Sequence, residues 1–130
     1  MNIKICSLPL KKKRDFITSF KDCLNGLSFV VVNEDNFKRE IILGILALLF
    51  CVILKVSKIE FIIVLIMIAL VLVSEIINTA IERAVDLCTL EYKELARISK
   101  DVSAGAVLTM CFFASVVGII IFIPRIINLL

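Results

Sequence analysis

Glu75, Asn78, Glu82 and Asp86 are the residues whose types and spacing best suit chemistry in this sequence. At about 100° per residue they share an arc of roughly 80° on one helix face, spread over about 16 Å of its axis. They follow directly on Phe61–Ser74, a run without a charged residue. One acidic residue inside a membrane span costs at least about 2.5–3.5 kcal/mol on insertion scales, so several on one face must meet water, cations or partners. Arg83, Arg97 and Lys100 are the structural partners available, as ion pairs. The alternative is a cation site, favoured by three acids on one stripe and by Glu34, expected at the same membrane level. Mg²⁺ suits these residue types, because it takes carboxylate oxygens and water and bridges to substrate phosphates. Phosphoryl transfer also needs a cation such as Lys100 for the phosphates and a base near the attacking hydroxyl. The depth order divides that labour: Glu75, deepest, lies where a lipid hydroxyl would sit, and Glu82 and Glu34 lie where a triphosphate and its metal reach from the aqueous side. The sequence has no Walker loop and no kinase glycine-rich loop, so such a nucleotide site is unlike the soluble ones.

The elements that must position these residues follow from the distribution of charge. The chain has 130 residues, 61% of them hydrophobic, and its mean hydropathy of +1.08 exceeds that of ordinary soluble domains. The charged residues crowd into 4–40 and 75–101, the segregation that a bilayer imposes. The apolar runs are Ile41–Leu54, Phe61–Ser74 and Val102–Ile123. The third, about 33 Å as a helix, crosses a hydrocarbon core of about 30 Å unaided, whereas the first two, about 21 Å each, must recruit flanking polar residues. Lys38, Arg39 and Lys55 can snorkel for the first; the second recruits Glu75, Asn78 and Glu82. The expected architecture is an all-α integral membrane protein, a single domain over 1–130, with spans at about 39–56, 60–88 and 102–123.

An amphipathic surface helix is expected at about 13–27, where Phe16, Ile17, Phe20, Leu24 and Leu27 form one helical stripe. With Lys11-Lys12-Lys13-Arg14 at its start it suits the membrane surface, although the same stripe would serve to pack it on its own bundle. Gly26 is expected to end or bend it. The first membrane helix should run to about Val56, Ser57–Glu60 should form a short external turn, and the second should break at Thr89–Tyr92. Tyr92–Lys100 reads as a connector with helical content, and Pro124 as the end of the third span. Nothing at the N-terminus reads as a cleavable signal.

Lys and Arg number eight before the first span, two between the first and second, four over 83–100 and one after the third. The positive-inside rule places the N-terminus and the acidic face in the cytoplasm and the C-terminus outside. Without histidine, and with five cysteines that show no C-x-x-C spacing, zinc and haem lack ligands and structural disulfides are not expected.

The stretch Glu75-Ile76-Ile77-Asn78-Thr79-Ala80-Ile81-Glu82-Arg83-Ala84-Val85-Asp86, followed by Lys100-Asp101-Val102-Ser103-Ala104-Gly105-Ala106-Val107-Leu108, closely resembles the prokaryotic diacylglycerol kinase family, which includes undecaprenol kinases. The resemblance runs from about Phe16 to the end of the third span and takes in Gly26, Glu34 and Glu40. It implies an ATP-dependent lipid kinase of the bacterial plasma membrane, a homotrimer with active sites shared between subunits, using MgATP and a membrane lipid alcohol, with no nucleic acid as partner. Carried over position by position, Glu75 is the general base and Glu34 and Glu82 hold Mg²⁺. Asn78 is placed with Glu75 in the catalytic group and, like Asp86, supports the same face. Asp86, Glu91, Tyr92, Lys100 and Asp101 join Glu34 and Glu82 on ATP, and Glu40 joins Glu75 at the lipid. Asp22, Cys23 and Leu24 depart from the polar and aromatic residues that proteobacterial members carry on the surface helix. The stretches around Asn78–Arg83 and Lys100–Ala106 look more like Gram-positive members, which implies undecaprenol as preferred substrate and diacylglycerol as the alternative.

Two readings from other classes account for less. A small proton-coupled transporter explains Glu75 but not Asn78, Glu82, Asp86 and Lys100 together. A pore-forming membrane peptide explains the length and the spans and needs no acidic stripe. Small residues of the third span, Gly105, Ala106, Ala114, Ser115 and Gly118, would allow close helix approach within or between chains.

Overall fold

The computed structural model describes residues 15–89 and 91–128. They form four helices and no strand: α1 (Phe16–Asn33), α2 (Asp35–Ile53), α3 (Lys58–Cys88) and α4 (Glu94–Ile127). The basic run 11–14, Cys6 and Leu90 lie outside the described residues. The other four cysteines are free thiols.

α1 does not end at Gly26 but passes through it to Asn33. A helical glycine costs about 1 kcal/mol relative to alanine, too little to break a ladder that continues on both sides. The break falls at Glu34, whose extended backbone (φ −105°, ψ 110°) closes α1 and opens α2. Asn33 helps by donating its side-chain amide to the Phe29 carbonyl at 2.8 Å. The apolar stripe of α1 is open, with Phe16 81% and Leu27 43% exposed. It is therefore not packed on the chain's own bundle; α1 is anchored through Val30, its one buried residue.

α2 stops at Ile53, short of Val56. Lys55 adopts a left-handed backbone (φ 49°), its N–H bonds the Val52 carbonyl at 3.2 Å, and the Val56 N–H bonds the Cys51 carbonyl at 3.1 Å. This is a Schellman ending with lysine in the place glycine usually takes. Ser57 then caps α3: its hydroxyl accepts from the Glu60 N–H at 3.3 Å, and the Glu60 carboxylate accepts from the Ser57 N–H at 2.7 Å. The expected turn at 57–60 thus shifts, because this capping box makes Lys58–Glu60 the first turn of α3.

α4 replaces the expected connector and span with one helix of 34 residues that begins at Glu94 and continues past Pro124. Proline removes a single N–H donor, and the residues after it keep theirs, as the Asn128 N–H bond to the Pro124 carbonyl at 3.2 Å illustrates. Arg125 fixes this last turn, with an ion pair to Glu60 and a hydrogen bond to the Lys55 carbonyl.

α3 and α4 pack against each other along most of their length, and α2 packs on α3. Cys51, Val64 and Ile121 form a small buried cluster with Ala47, Ile68, Val117 and Phe122 around it. The close approach is at Gly44, where a Cβ would lie 3.0 Å from Ile68; a Cβ at Gly105 would meet nothing within 4 Å. Most large apolar side chains of α2, α3 and α4 face outward. α3 and α4 are long and apolar enough to cross a membrane, with mean hydropathy 2.8 and 2.7 over their most apolar stretches. α2 carries Lys38, Arg39 and Glu40 near its start, which leaves a shorter unbroken apolar run.

Candidate active site

α3 carries the acidic face into the bundle at a graded depth. Glu75 is 3% exposed and Asn78 7%, whereas Glu82 and Asp86 are half-buried. The Glu75 carboxylate lies within electrostatic range of Glu82 and Glu34. Helical periodicity put these acids on one stripe; the kink between α1 and α2 adds Glu34 from a separate element.

Glu34 and Asp86 have partners from other helices, and Glu82 has one a turn away on α3 itself. Arg83 donates to the Glu34 carboxylate at 2.7 Å, its guanidinium stacks 5.4 Å from the centre of the Phe29 ring, and it also feels the charges of Asp86 and Glu82. Asn78 donates its amide N–H to Glu82 at 3.4 Å. Lys100, from α4, donates to Asp86 at 2.6 Å. Asp101 lies apart from this face and pairs with Arg97 at 2.8 Å, one helical turn away.

Two cavities flank the face. On its aqueous side an open cavity of about 390 Å³ is lined by Asp86, Thr89, Glu91, Tyr92, Arg97 and Lys100, among others. It gathers four of the seven expected nucleotide residues, Asp86, Glu91, Tyr92 and Lys100, and leaves out Glu34, Glu82 and Asp101. Thr89 and Arg97 are additions that no motif marked; they arrive because the chain reverses between α3 and α4. On the apolar side a cavity of about 280 Å³ runs between α2, α3 and α4, lined by Gly44, Ala47, Val71, Cys111 and Ala114, with Glu40 at its polar end. One oxygen of Glu40 and the Thr79 hydroxyl are buried without a hydrogen-bond partner among the described residues.

The sequence reading missed Ser103. It is 6% exposed, and its hydroxyl lies 2.7 Å from the Asn78 side-chain oxygen and 2.9 Å from the Lys100 carbonyl. Its signals were a polar residue within the apolar start of the third span and its place in the stretch that begins at Lys100, neither of which says what it faces.

No group of three or more Asp, Glu, Cys or His side chains is gathered closely enough to cage a metal ion among the described residues. That suits Mg²⁺ delivered with a nucleotide, which needs one or two carboxylates and takes its other ligands from water and phosphate oxygens. Glu34 and Glu82 are half-buried carboxylates of this face, and Arg83 is the cation that holds Glu34.

Residues 21–122 match the family model of prokaryotic diacylglycerol kinase. An undecaprenol kinase of Bacillus subtilis is 32% identical over 110 residues, covering 85% of this chain and 89% of that one. A diacylglycerol kinase of Synechocystis is 30% identical over 128 residues, covering 94% of this chain and 73% of its own. A diacylglycerol kinase of Escherichia coli is 36% identical over 83 residues, covering 64% and 68%. The chain belongs to the prokaryotic diacylglycerol kinase family, a family of lipid kinases.

Proposed function

We propose that this member of the prokaryotic diacylglycerol kinase family transfers the γ-phosphate of MgATP to the hydroxyl of a membrane lipid alcohol, with undecaprenol preferred over diacylglycerol. The observation that carries this reading is the graded line from Glu75, buried beside the apolar helices, to the Asp86–Lys100 pair at the open cavity. A lipid hydroxyl approaches from the first end and a nucleotide from the second.

In this reading α2, α3 and α4 span the membrane, with Lys38 and Arg39 snorkelling to complete α2. α1 lies on the cytoplasmic surface with its open stripe of Phe16, Ile17, Phe20 and Leu24 in lipid. The N-terminus and the acidic face are cytoplasmic and the C-terminus is outside. The outward apolar faces of the helices, including Gly105, suit a homotrimer whose subunits close one another's sites. Glu34 and Glu82 would hold the magnesium, which when bound would neutralise phosphate charge. Lys100, Asp86, Glu91, Tyr92 and Asp101 bind the rest of the nucleotide. The Glu75 carboxylate takes the proton of the lipid hydroxyl as the oxygen attacks the γ-phosphorus. The bond to the β-phosphate bridging oxygen breaks and ADP leaves. Asn78 holds Glu82, and Glu40 lies where the lipid enters the apolar cavity.

The substrate preference rests on what lies beside Glu75. Apolar walls discriminate weakly, by about 1–3 kcal/mol per methylene-scale difference. Diacylglycerol has two ester carbonyls that reward hydrogen-bond donors, and a polyprenol has none. The apolar cavity offers few donors, with Ser115 committed to the Cys111 carbonyl. In matched micelles with radiolabelled ATP, kcat/KM should be higher for undecaprenol; a higher value for diacylglycerol would reverse the preference and leave lipid kinase standing.

A further inference from the structure

We infer that Ser103 is a positioning residue, which through Asn78 fixes the orientation of the Glu82 carboxylate toward the metal–nucleotide complex. The inference rests on the proposed role of Glu82 and adds to it a residue on a different helix, 25 positions beyond Asn78 along the chain.

Hydrogen-bond accounting gives the network one direction. Ser103 has a single hydroxyl proton and two oxygens within reach, Asn78 Oδ1 at 2.7 Å and the Lys100 carbonyl at 2.9 Å. An asparagine amide has one accepting end and one donating end. The ionised Glu82 carboxylate can only accept, so Asn78 must turn its NH₂ toward it, as it does at 3.4 Å. Its oxygen then faces Ser103, and two acceptor oxygens at 2.7 Å repel unless a proton lies between them. The Ser103 proton therefore goes to Asn78, and the chain reads Ser103 O–H to Asn78 C=O, then Asn78 N–H to Glu82. Both Ser103 and Asn78 are buried, 6% and 7% exposed, so water cannot readily replace either group, and a buried polar group left unpaired is expensive.

Two features couple this chain to the nucleotide end of the site. Ser103 sits one helical turn beyond Lys100, which holds Asp86 at the open cavity. The bond crosses from α4 to α3, so it sets the register of the helix bearing Lys100 against the helix bearing Glu82. Without Ser103 the Asn78 amide can rotate, and its oxygen, turned toward Glu82, would repel the carboxylate. Ser103 touches no reacting atom in this arrangement; its effect is to hold the metal carboxylate in one rotamer.

The test is binding of magnesium with a non-hydrolysable ATP analogue to the full chain in micelles, by calorimetry, with steady-state kinetics alongside. Ser103→Ala should weaken binding about three- to tenfold and raise KM for MgATP by a similar factor, with a smaller change in kcat at saturation. Ser103→Thr, which keeps the hydroxyl, should restore binding. In a double-mutant cycle, Ser103→Ala should lose most of its effect once Asn78 is alanine, because Ser103 acts on Glu82 only through Asn78. Unchanged binding in Ser103→Ala, or effects that simply add in the cycle, would overturn the inference. Should Ser103→Ala fail to fold, Ser103→Cys, which keeps the side-chain size and offers only a weak S–H donor, carries the same comparison against Ser103→Thr. Glu82→Gln separates this inference from the reading beneath it. If Glu82→Gln abolishes nucleotide binding and Ser103→Ala leaves it intact, only the positioning role falls. If Glu82→Gln itself binds normally, the metal role of Glu82 falls first.

Discussion

Glu82 and Glu75 differ in depth by two helical turns, and that difference separates a charge that can meet water and magnesium from one enclosed by the bundle. Glu82→Gln keeps the side-chain volume and removes the charge, so metal-dependent nucleotide binding should weaken at least tenfold, measured by titrating MgATP analogue into the micellar protein. Binding equal to wild type would exclude Glu82 as a metal ligand. The clustering of Glu75, Asn78, Glu82 and Asp86 was legible in the sequence, because four residues on one helix declare their common face through the 3.6-residue period. Arg83 and Lys100 were legible as possible ion-pair partners of this group, but which acid each one meets was not. Arg83 reaches Glu34 across 49 residues and Ser103 reaches Asn78 across 25, and periodicity within one helix carries no information about its neighbour. Lys100 was expected on phosphates or as an ion-pair partner of the acidic face, and is found on Asp86. A phosphate can replace that carboxylate, since both are anionic acceptors for the same ammonium group.

At the level of elements, the helices were legible and their ends were not. The apolar runs marked the bodies of α2, α3 and α4, because only a continuous helix satisfies the backbone of an apolar segment. Gly26 and Pro124 were expected to punctuate α1 and α4, yet both helices run through them. The penalty at each is local, whereas the ladder on either side is continuous and Arg125 ties down the final turn. Conversely α2 ends at a residue with no breaking tendency of its own: Lys55 takes the left-handed position that the Schellman bonds require. A non-glycine residue there costs roughly 1–2 kcal/mol. Lys55→Gly should therefore raise resistance to unfolding in micelles by up to about 1 kcal/mol, read from a denaturant titration. Lower stability would mean that the lysine side chain contributes more than its backbone conformation costs.

For the whole molecule, the outward apolar surface is the controlling fact. Few side chains are buried, and Ile, Leu, Val and Phe dominate the exposed faces of three helices, an arrangement stable in lipid or against further copies of the chain and not in water. In the proposed topology the charge distribution, through the positive-inside rule, sets its direction in the membrane. Impermeant thiol labelling of intact cells, in a background with the native cysteines replaced, should modify Ser57→Cys at the α2–α3 turn and spare Lys93→Cys beside the open cavity. The reverse pattern would put the acidic face outside, away from ATP. The central claim is that a buried Glu75 accepts the proton of a lipid hydroxyl while MgATP is held by other residues. The measurement that reaches it most directly is transfer of radiolabelled γ-phosphate to lipid by wild type and Glu75→Gln, with MgATP-analogue binding determined on the same preparations. Wild type should label the lipid, and Glu75→Gln should lose about 10²–10⁴-fold in turnover, the usual contribution of a positioned base, while binding the nucleotide as wild type does. Lipid labelling by Glu75→Gln at the wild-type rate would contradict the account.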